Sequence, residues 1–293
     1  MKHVFIVNKI SGKGAAYGLV EEIKKIAEEK KLDYTLHITE YEGHAKQLAS
    51  QYHEEDTVVY AVGGDGTILE VLHGLDKKVT MAIIPAGSGN DFYRYFDNGN
   101  RKDYATLIRE VIEAPVIECD YGISDRMEFL NTASFGLDGA INFDASYLIR
   151  NTVITKGPAY ILSILKHIIL MRKTPIRMIV DGEEYEGKYL IVAIMNGRYY
   201  GNGVKAAPNA SIDDGVFDLV AARDNGRIAN YGMFINYMTG KQEKDRRILM
   251  RHCKKIDIYS PEEMYIQCDG ENFKSKELHL QIVEKGLKLK KPQ

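Results

Sequence analysis

Apolar runs and helix-spaced apolar positions take turns along the first 120 residues. HVFIVN (3–8), YTLHIT (34–39), TVVYAV (57–62), VTMAIIP (79–85) and VIECDYG (116–122) read as strands. Between them, residues 15–31 place Leu19, Val20, Ile23 and Ile26 on one helical face, and HAKQLASQYH (44–53), TILEVLHGL (67–75) and YATLIREVIE (104–113) also read as helices. Strict strand–helix alternation predicts a parallel sheet covered on both faces, with ligands at the carboxyl ends of its strands.

From about residue 121 the rhythm changes. MEFLNTAS (127–134), IRMIVDG (176–182), EEYEGKYLIVAIMNG (183–197), VFDLVAA (216–222), KIDIYS (255–260), MYIQCDGE (264–271) and LHLQIVEKGLKL (278–289) are strand patterns split by DG, NG and DDG turns. One helical pattern, PAYILSILKHIILMRK (158–173), interrupts them. The chain therefore predicts an α/β domain over 1–120 and an antiparallel all-β domain over 121–293, with the last strands free to return to the first domain. The join is a change of pattern rather than a Pro/Ser linker, so the two domains should pack closely.

Composition changes this picture little. Of 293 residues, 45% are hydrophobic and 27% charged, and the formal net charge is −2, so no global basicity points to nucleic acid or membrane. Cys119, Cys253 and Cys268 are dispersed without CxxC or zinc spacing and suit a reducing cytoplasm. No leader and no run of about 18 apolar residues is present, so the expectation is a cytoplasmic chain without a membrane span.

The candidate chemistry lies in three glycine-rich turns that follow strands: Asn8-Lys9-Ile10-Ser11-Gly12-Lys13-Gly14, then Gly63-Gly64-Asp65-Gly66-Thr67, then Pro85-Ala86-Gly87-Ser88-Gly89-Asn90-Asp91-Phe92. No Walker, GxGxxG, HExxH or GxSxG motif occurs. Backbone N–H groups at a strand-to-helix turn suit phosphate. Asp65 and Asp91 then suit the Mg²⁺ that accompanies a triphosphate. The bland alternative for Asp65 is a helix cap.

VGGDGT followed by IPAGSGNDF resembles the diacylglycerol kinase catalytic-domain family, which spans bacterial diacylglycerol kinases, sphingosine kinases and ceramide kinases. The resemblance continues in order along nearly the whole chain. NKISGKG is similar to the family's Asn-Pro-x-Ser-Gly loop, with Lys9 where proline is usual. Ile38-Thr39 with Gly43-His44-Ala45, Phe129-Leu130-Asn131 with Phe135-Gly136, Asp213-Asp214-Gly215 with Asp218, and Asp269-Gly270-Glu271 match further motifs. GGDGT is shared with NAD kinases and a similar GGDG with phosphofructokinases, whereas FLN and DGE favour lipid kinases.

The resemblance implies a three-layer first domain and transfer of the ATP γ-phosphate to a lipid hydroxyl, foremost diacylglycerol to phosphatidic acid. It implies nucleotide contacts from Asn8, Ser11, Gly12, Thr39, Gly63, Gly64, Gly66, Thr67, Ser88 and Asn90. Glu271 becomes the general base, with Asp269 and Asp65 beside the reaction. Asp91, Asp120 and Asn131 fall on the acceptor side. Asp65 and Asp91 organise one Mg²⁺, and Asp214 with the Ser211 and Val216 carbonyls holds a structural one. Read without the resemblance, DG at 269–270 is an ordinary hairpin turn and Asp120 merely ends a strand. Membrane contact is expected to be peripheral and reversible, through the helix at 157–171 and the basic stretch 241–255; a homodimer is left open. The rivals are an NAD kinase-like enzyme with a soluble acceptor and a nucleotide- or lipid-binding protein without turnover.

Overall fold

The computed structural model describes residues 1–97, 103–154 and 156–292, except for the side chains of residues 156, 157 and 168, which include two positions of the expected 157–171 helix. The first half contains β1 (Lys2–Val7), a 3₁₀ turn (Ser11–Gly14), α1 (Ala15–Gly18), α2 (Val20–Glu29), β2 (Asp33–Ile38), α3 (His44–Ala49), β3 (Thr57–Gly63), α4 (Asp65–Gly74), β4 (Thr80–Pro85), α5 (Arg94–Asp97), α6 (Tyr104–Glu113) and β5 (Val116–Ser124). The second half contains β6 (Glu128–Phe129), β7 (Thr132–Gly136), α7 (Leu137–Asn151), α8 (Lys156–Leu170), β8 (Thr174–Val180), β9 (Glu183–Met195), β10 (Phe217–Arg223), α9 (Arg227–Met238), a second 3₁₀ turn (Gln242–Lys244), β11 (Ile248–Cys253), β12 (Lys255–Cys268) and β13 (Glu271–Lys290).

β2, β1, β3 and β4 pair in parallel, in that order. Every residue of β3 is buried, the condition that makes TVVYAV apolar without alternation. Among the described residues the strands of both halves form one 13-stranded sheet, most of whose pairings are antiparallel, so the strands of the second half are not a separate sheet and the last of them returns to the first domain, as the sequence left open. β13 causes the fusion. It pairs antiparallel with β12 and β5 and meets β4 in parallel through Leu289 opposite Met81. Its Leu287 and Leu289 are fully buried in the same apolar cluster as Phe5, Tyr60 and Met81. Burying a leucine contributes about 1.5–3 kcal/mol, so the end of the chain is bound firmly to its beginning.

The second half is also not all-β. Besides α8 it holds α7 and α9, neither of which the pattern announces. LDGAINFDASYLIRN is rich in Asp, Asn, Gly and Ser, all weak helix formers. Packing against β7, β12 and α8 overrides that weakness. KIDIYS and MYIQCDGE, expected as two strands, are one 14-residue strand whose register shifts between Tyr259 and Met264.

Candidate active site

The turns after β1, β3 and β4 close on one another at backbone level. A Cβ on Gly12 would lie 2.2 Å from the Ala86 carbonyl oxygen, and Gly12 itself has φ +59°. A Cβ on Gly87 would lie 2.3 Å from the Gly64 Cα. No other residue type permits these approaches. Side-chain amides brace the loops: Asn8 Nδ2 donates to Thr67 Oγ1 at 2.9 Å, and Asn90 Oδ1 accepts the Gly87 N–H at 2.9 Å. Ser11 Oγ faces Gly64, Thr39 is buried with its N–H on the Val7 carbonyl, and Ser88 is exposed. Gly63 presses on the Thr67 side chain, whereas a Cβ on Gly66 would meet nothing within 4 Å. The open side of the cradle is therefore at the first turn of α4, where N–H groups and the helix dipole favour an anion.

Asp65 is not the cap of α4. Gly64 occupies that position, and the Asp65 carboxylate turns instead to the facing loop, where Oδ1 accepts the Phe92 N–H at 3.4 Å. Burial raises its pKa. Asp91 Oδ2 accepts the Asn202 N–H at 2.7 Å, and Oδ1 lies 3.5 Å from Arg94 Nε. Burial first, and then the negative Asp65, push Asp91 up to about 6. Two half-buried carboxylates, one of which raises the proton affinity of the other, suit a divalent cation. Among the described residues no three His, Cys, Asp or Glu side chains converge as a complete cage. Mg²⁺ needs none, since it takes one or two carboxylates and completes its shell with phosphate and water oxygens.

Across from these loops lies the β12–β13 turn. Asp269 (φ +46°) and Gly270 (φ +94°) form a two-residue hairpin in which Cys268 pairs with Glu271. The hairpin reading and the functional reading thus describe the same residues. Asp269 is half-buried, and its carboxylate accepts the N–H groups of Leu130 at 2.5 Å, Asn131 at 3.1 Å and Thr132 at 2.7 Å. Burial raises it to about 6, with a contribution from nearby Asp65. The turn is thereby fastened to the FLN segment, and Glu271 follows it exposed. Asn131 sends Nδ2 to the Tyr199 carbonyl at 2.8 Å, while its buried Oδ1 has no hydrogen-bond partner. Asn196 was not legible as a site residue. It is fully buried, and its Nδ2 bridges the Asp120 and Leu130 carbonyls at 2.9 and 2.7 Å.

Asp120 does not point toward an acceptor. Its Oδ2 accepts the Gly215 N–H and its Oδ1 the Lys285 N–H, both at 2.6 Å. It staples the DDG loop to β13. On that loop, Asp214 is exposed and accepts the Val216 N–H at 3.3 Å. Partial desolvation raises Asp214, and the neighbouring Asp120 and Asp213 add to the rise. With the Ser211 and Val216 carbonyls this is an oxygen-only donor set, which fits Mg²⁺.

Part of the basic stretch 241–255 is engaged within the fold, while Lys241, Lys244 and Arg246 are exposed. Arg247 is held by Asp245 and the Ala229 carbonyl, Arg251 by Glu183 and Tyr185, and Lys254 by Glu284. α8 is different: Ile161, Leu162, Leu165, Ile169 and Leu170 are all exposed. Its Tyr160 hydroxyl donates to Asn142 at 2.9 Å, and burial, then Asp91, raises the Tyr160 pKa, so the start of α8 lies beside the carboxylate pair.

The diacylglycerol kinase catalytic-domain family model matches residues 2–123, and that of the YegS C-terminal NAD kinase beta sandwich-like domain matches 131–290. The chain belongs to the diacylglycerol kinase catalytic-domain family. A diacylglycerol kinase of Bacillus subtilis (strain 168) is 27% identical over 274 residues, covering 91% of this chain and 88% of the relative. One of Staphylococcus carnosus (strain TM300) is 25% identical over 290 residues, covering 94% and 93%. A solved structure from Bacillus anthracis str. Sterne superposes with a TM-score of 0.77 at 23% identity over 99% of this chain and 97% of that one, a likeness of fold.

Proposed function

We propose that this protein is an ATP- and Mg²⁺-dependent diacylglycerol kinase that forms phosphatidic acid. The observation that carries the reading is the convergence of the three glycine loops and the Asp65–Asp91 pair opposite the Asp269–Glu271 turn. Asn8, Ser11, Gly12, Thr39, Gly63, Gly64, Gly66, Thr67, Ser88 and Asn90 hold or shape the nucleotide site. Asp65 and Asp91 would hold Mg²⁺, which when bound neutralises the phosphate charge. Asp91 and Asn131 face the acceptor side. Glu271 takes the proton of the lipid hydroxyl as its oxygen attacks the γ-phosphorus and ADP leaves. Asp269 and Asp120 serve by position: the first fixes the turn that carries Glu271, and the second fixes the loop on which Asp214, Ser211 and Val216 would hold a structural Mg²⁺.

The working division remains 1–120 for nucleotide and 121–293 for acceptor. Among the described residues no helix is long and apolar enough to cross a membrane, so contact with the lipid is proposed as peripheral and reversible, from the cytoplasm. The exposed apolar face of α8 supports this. The test is transfer of ³²P from ATP to a panel of lipid alcohols with NAD included. Labelled phosphatidic acid is expected, and label on NAD alone would install the NAD kinase-like reading instead.

A further inference from the structure

Gln267 lies four residues before Glu271 on β12, opposite Ser134 of β7, and is almost fully buried. Its Oε1 accepts the Gly270 N–H at 2.9 Å, and its Nε2 donates to the Ser134 hydroxyl at 2.6 Å. The Gly270 amide can only donate, so the side-chain amide has one allowed orientation. Ser134 spends a lone pair on Gln267 and keeps its own proton. Gln267 thus joins β7 to the Asp269–Gly270 peptide, one peptide before the one that leads into Glu271.

Gly270 would otherwise be the loose joint. It has φ +94° and no side chain, and a Cβ there would touch nothing within 4 Å. Asp269 pins one side of it through three amides, and Asn272 Nδ2 meets the Gly270 carbonyl at 3.3 Å, on the peptide that leads into Glu271, but neither restrains the Gly270 N–H on the peptide before it. Gln267 supplies that restraint. A polar side chain so deeply buried costs free energy unless satisfied, and an apolar residue would fill the site more cheaply if only packing mattered. We propose that Gln267 is a positioning residue for the Glu271 turn, holding the Gly270 N–H through Oε1 while Ser134 holds Gln267. The inference rests on the reading of Glu271 as the base.

The test is Gln267→Met, which keeps length and burial and removes both hydrogen bonds, made in the wild-type chain and in Glu271→Gln. A small displacement at a reacting group costs up to about 100-fold in rate. Expected in the wild-type background is a kcat lowered about 10- to 100-fold, with the KM for ATP within about twofold because the nucleotide loops lie elsewhere. In Glu271→Gln the same change should cost nothing further, since two residues acting as one unit are not additive. Ser134→Ala, a milder change in the same chain, should give a smaller loss that also vanishes in Glu271→Gln. An unimpaired kcat in Gln267→Met, or an equal loss in both backgrounds, overturns the inference while leaving a crippled Glu271→Gln to support the base. Near-normal turnover by Glu271→Gln itself would sink both.

Discussion

The carboxylates of Asp65 and Asp91 close on the same glycine. A Cβ on Gly89 would lie 2.9 Å from Asp65 Oδ2 and 3.9 Å from Asp91 Oδ2, although the two aspartates come from different loops. Both are half-buried, and the negative Asp65 raises the affinity of Asp91 for a positive partner. Asp65→Asn should therefore lower turnover on Mg²⁺·ATP by at least 100-fold while leaving the melting temperature without Mg²⁺ unchanged or higher, because one of two like charges is gone. A marked fall in melting temperature without Mg²⁺ would show that Asp65 is structural.

The loops admit no side chain at Gly87. Gly87→Ala places a methyl group 2.3 Å from the Gly64 Cα, so backbone must move. ATP binding, measured by calorimetry, should fall at least tenfold in a variant that still folds. Gly66→Ala meets no atom within 4 Å and should fold normally, so any loss of ATP affinity there reports the ligand's own approach.

Asp91, Asp138 and Asp269 are each pushed up to about 6 by burial, against an ordinary carboxylate value of 3.8. A raised carboxylate makes the folded state bind more protons than the unfolded state between these two values, so stability falls as pH rises through that window. The metal-free protein should unfold at higher urea at pH 5 than at pH 7 on account of these groups. Asp138→Asn should flatten that dependence; an unchanged slope would mean that Asp138 does not titrate there.

Asp120 and Asp214 separate by stability. Asp120→Ala removes the acceptor for two buried amides and should cost about 2–4 kcal/mol in urea unfolding, with or without Mg²⁺. Asp214→Ala should cost much less without Mg²⁺ but abolish the stabilisation that Mg²⁺ alone confers by mass action. If Mg²⁺ does not stabilise the wild type, the structural-metal assignment fails.

Membrane binding should follow α8 rather than the basic stretch. Replacing Ile161, Leu165 and Ile169 with glutamine should reduce sedimentation with anionic vesicles at least tenfold and spare activity on a detergent-dispersed short-chain lipid. Replacing Arg247 and Arg251 should chiefly lower thermal stability, since both are engaged in ion pairs and hydrogen bonds within the fold. Vesicle binding that survives the α8 changes would direct attention to another face.

The sequence alone determined the local chemistry: which segments are strands, where glycine-rich turns sit, and which family the ordered motifs resemble. Those are properties of short stretches, since continuous apolar runs, glycine pairs and a DG hairpin carry their meaning within a few residues. Tertiary structure decided how carboxylates are used. Asp120 and Asp269 look like Asp65 and Asp91 in the sequence, yet the first two have both carboxylate oxygens on backbone amides from segments 95 to 165 residues away, whereas Asp91 has one oxygen so engaged, and no local pattern encodes that. The same distance rule hid α7 and α9, whose weak intrinsic propensity is overcome only by packing, and the fusion of the two halves, which depends on where the apolar face of β13 finds its partners. Gln267 belongs with these: a glutamine in a strand says nothing until the strand opposite it supplies Ser134.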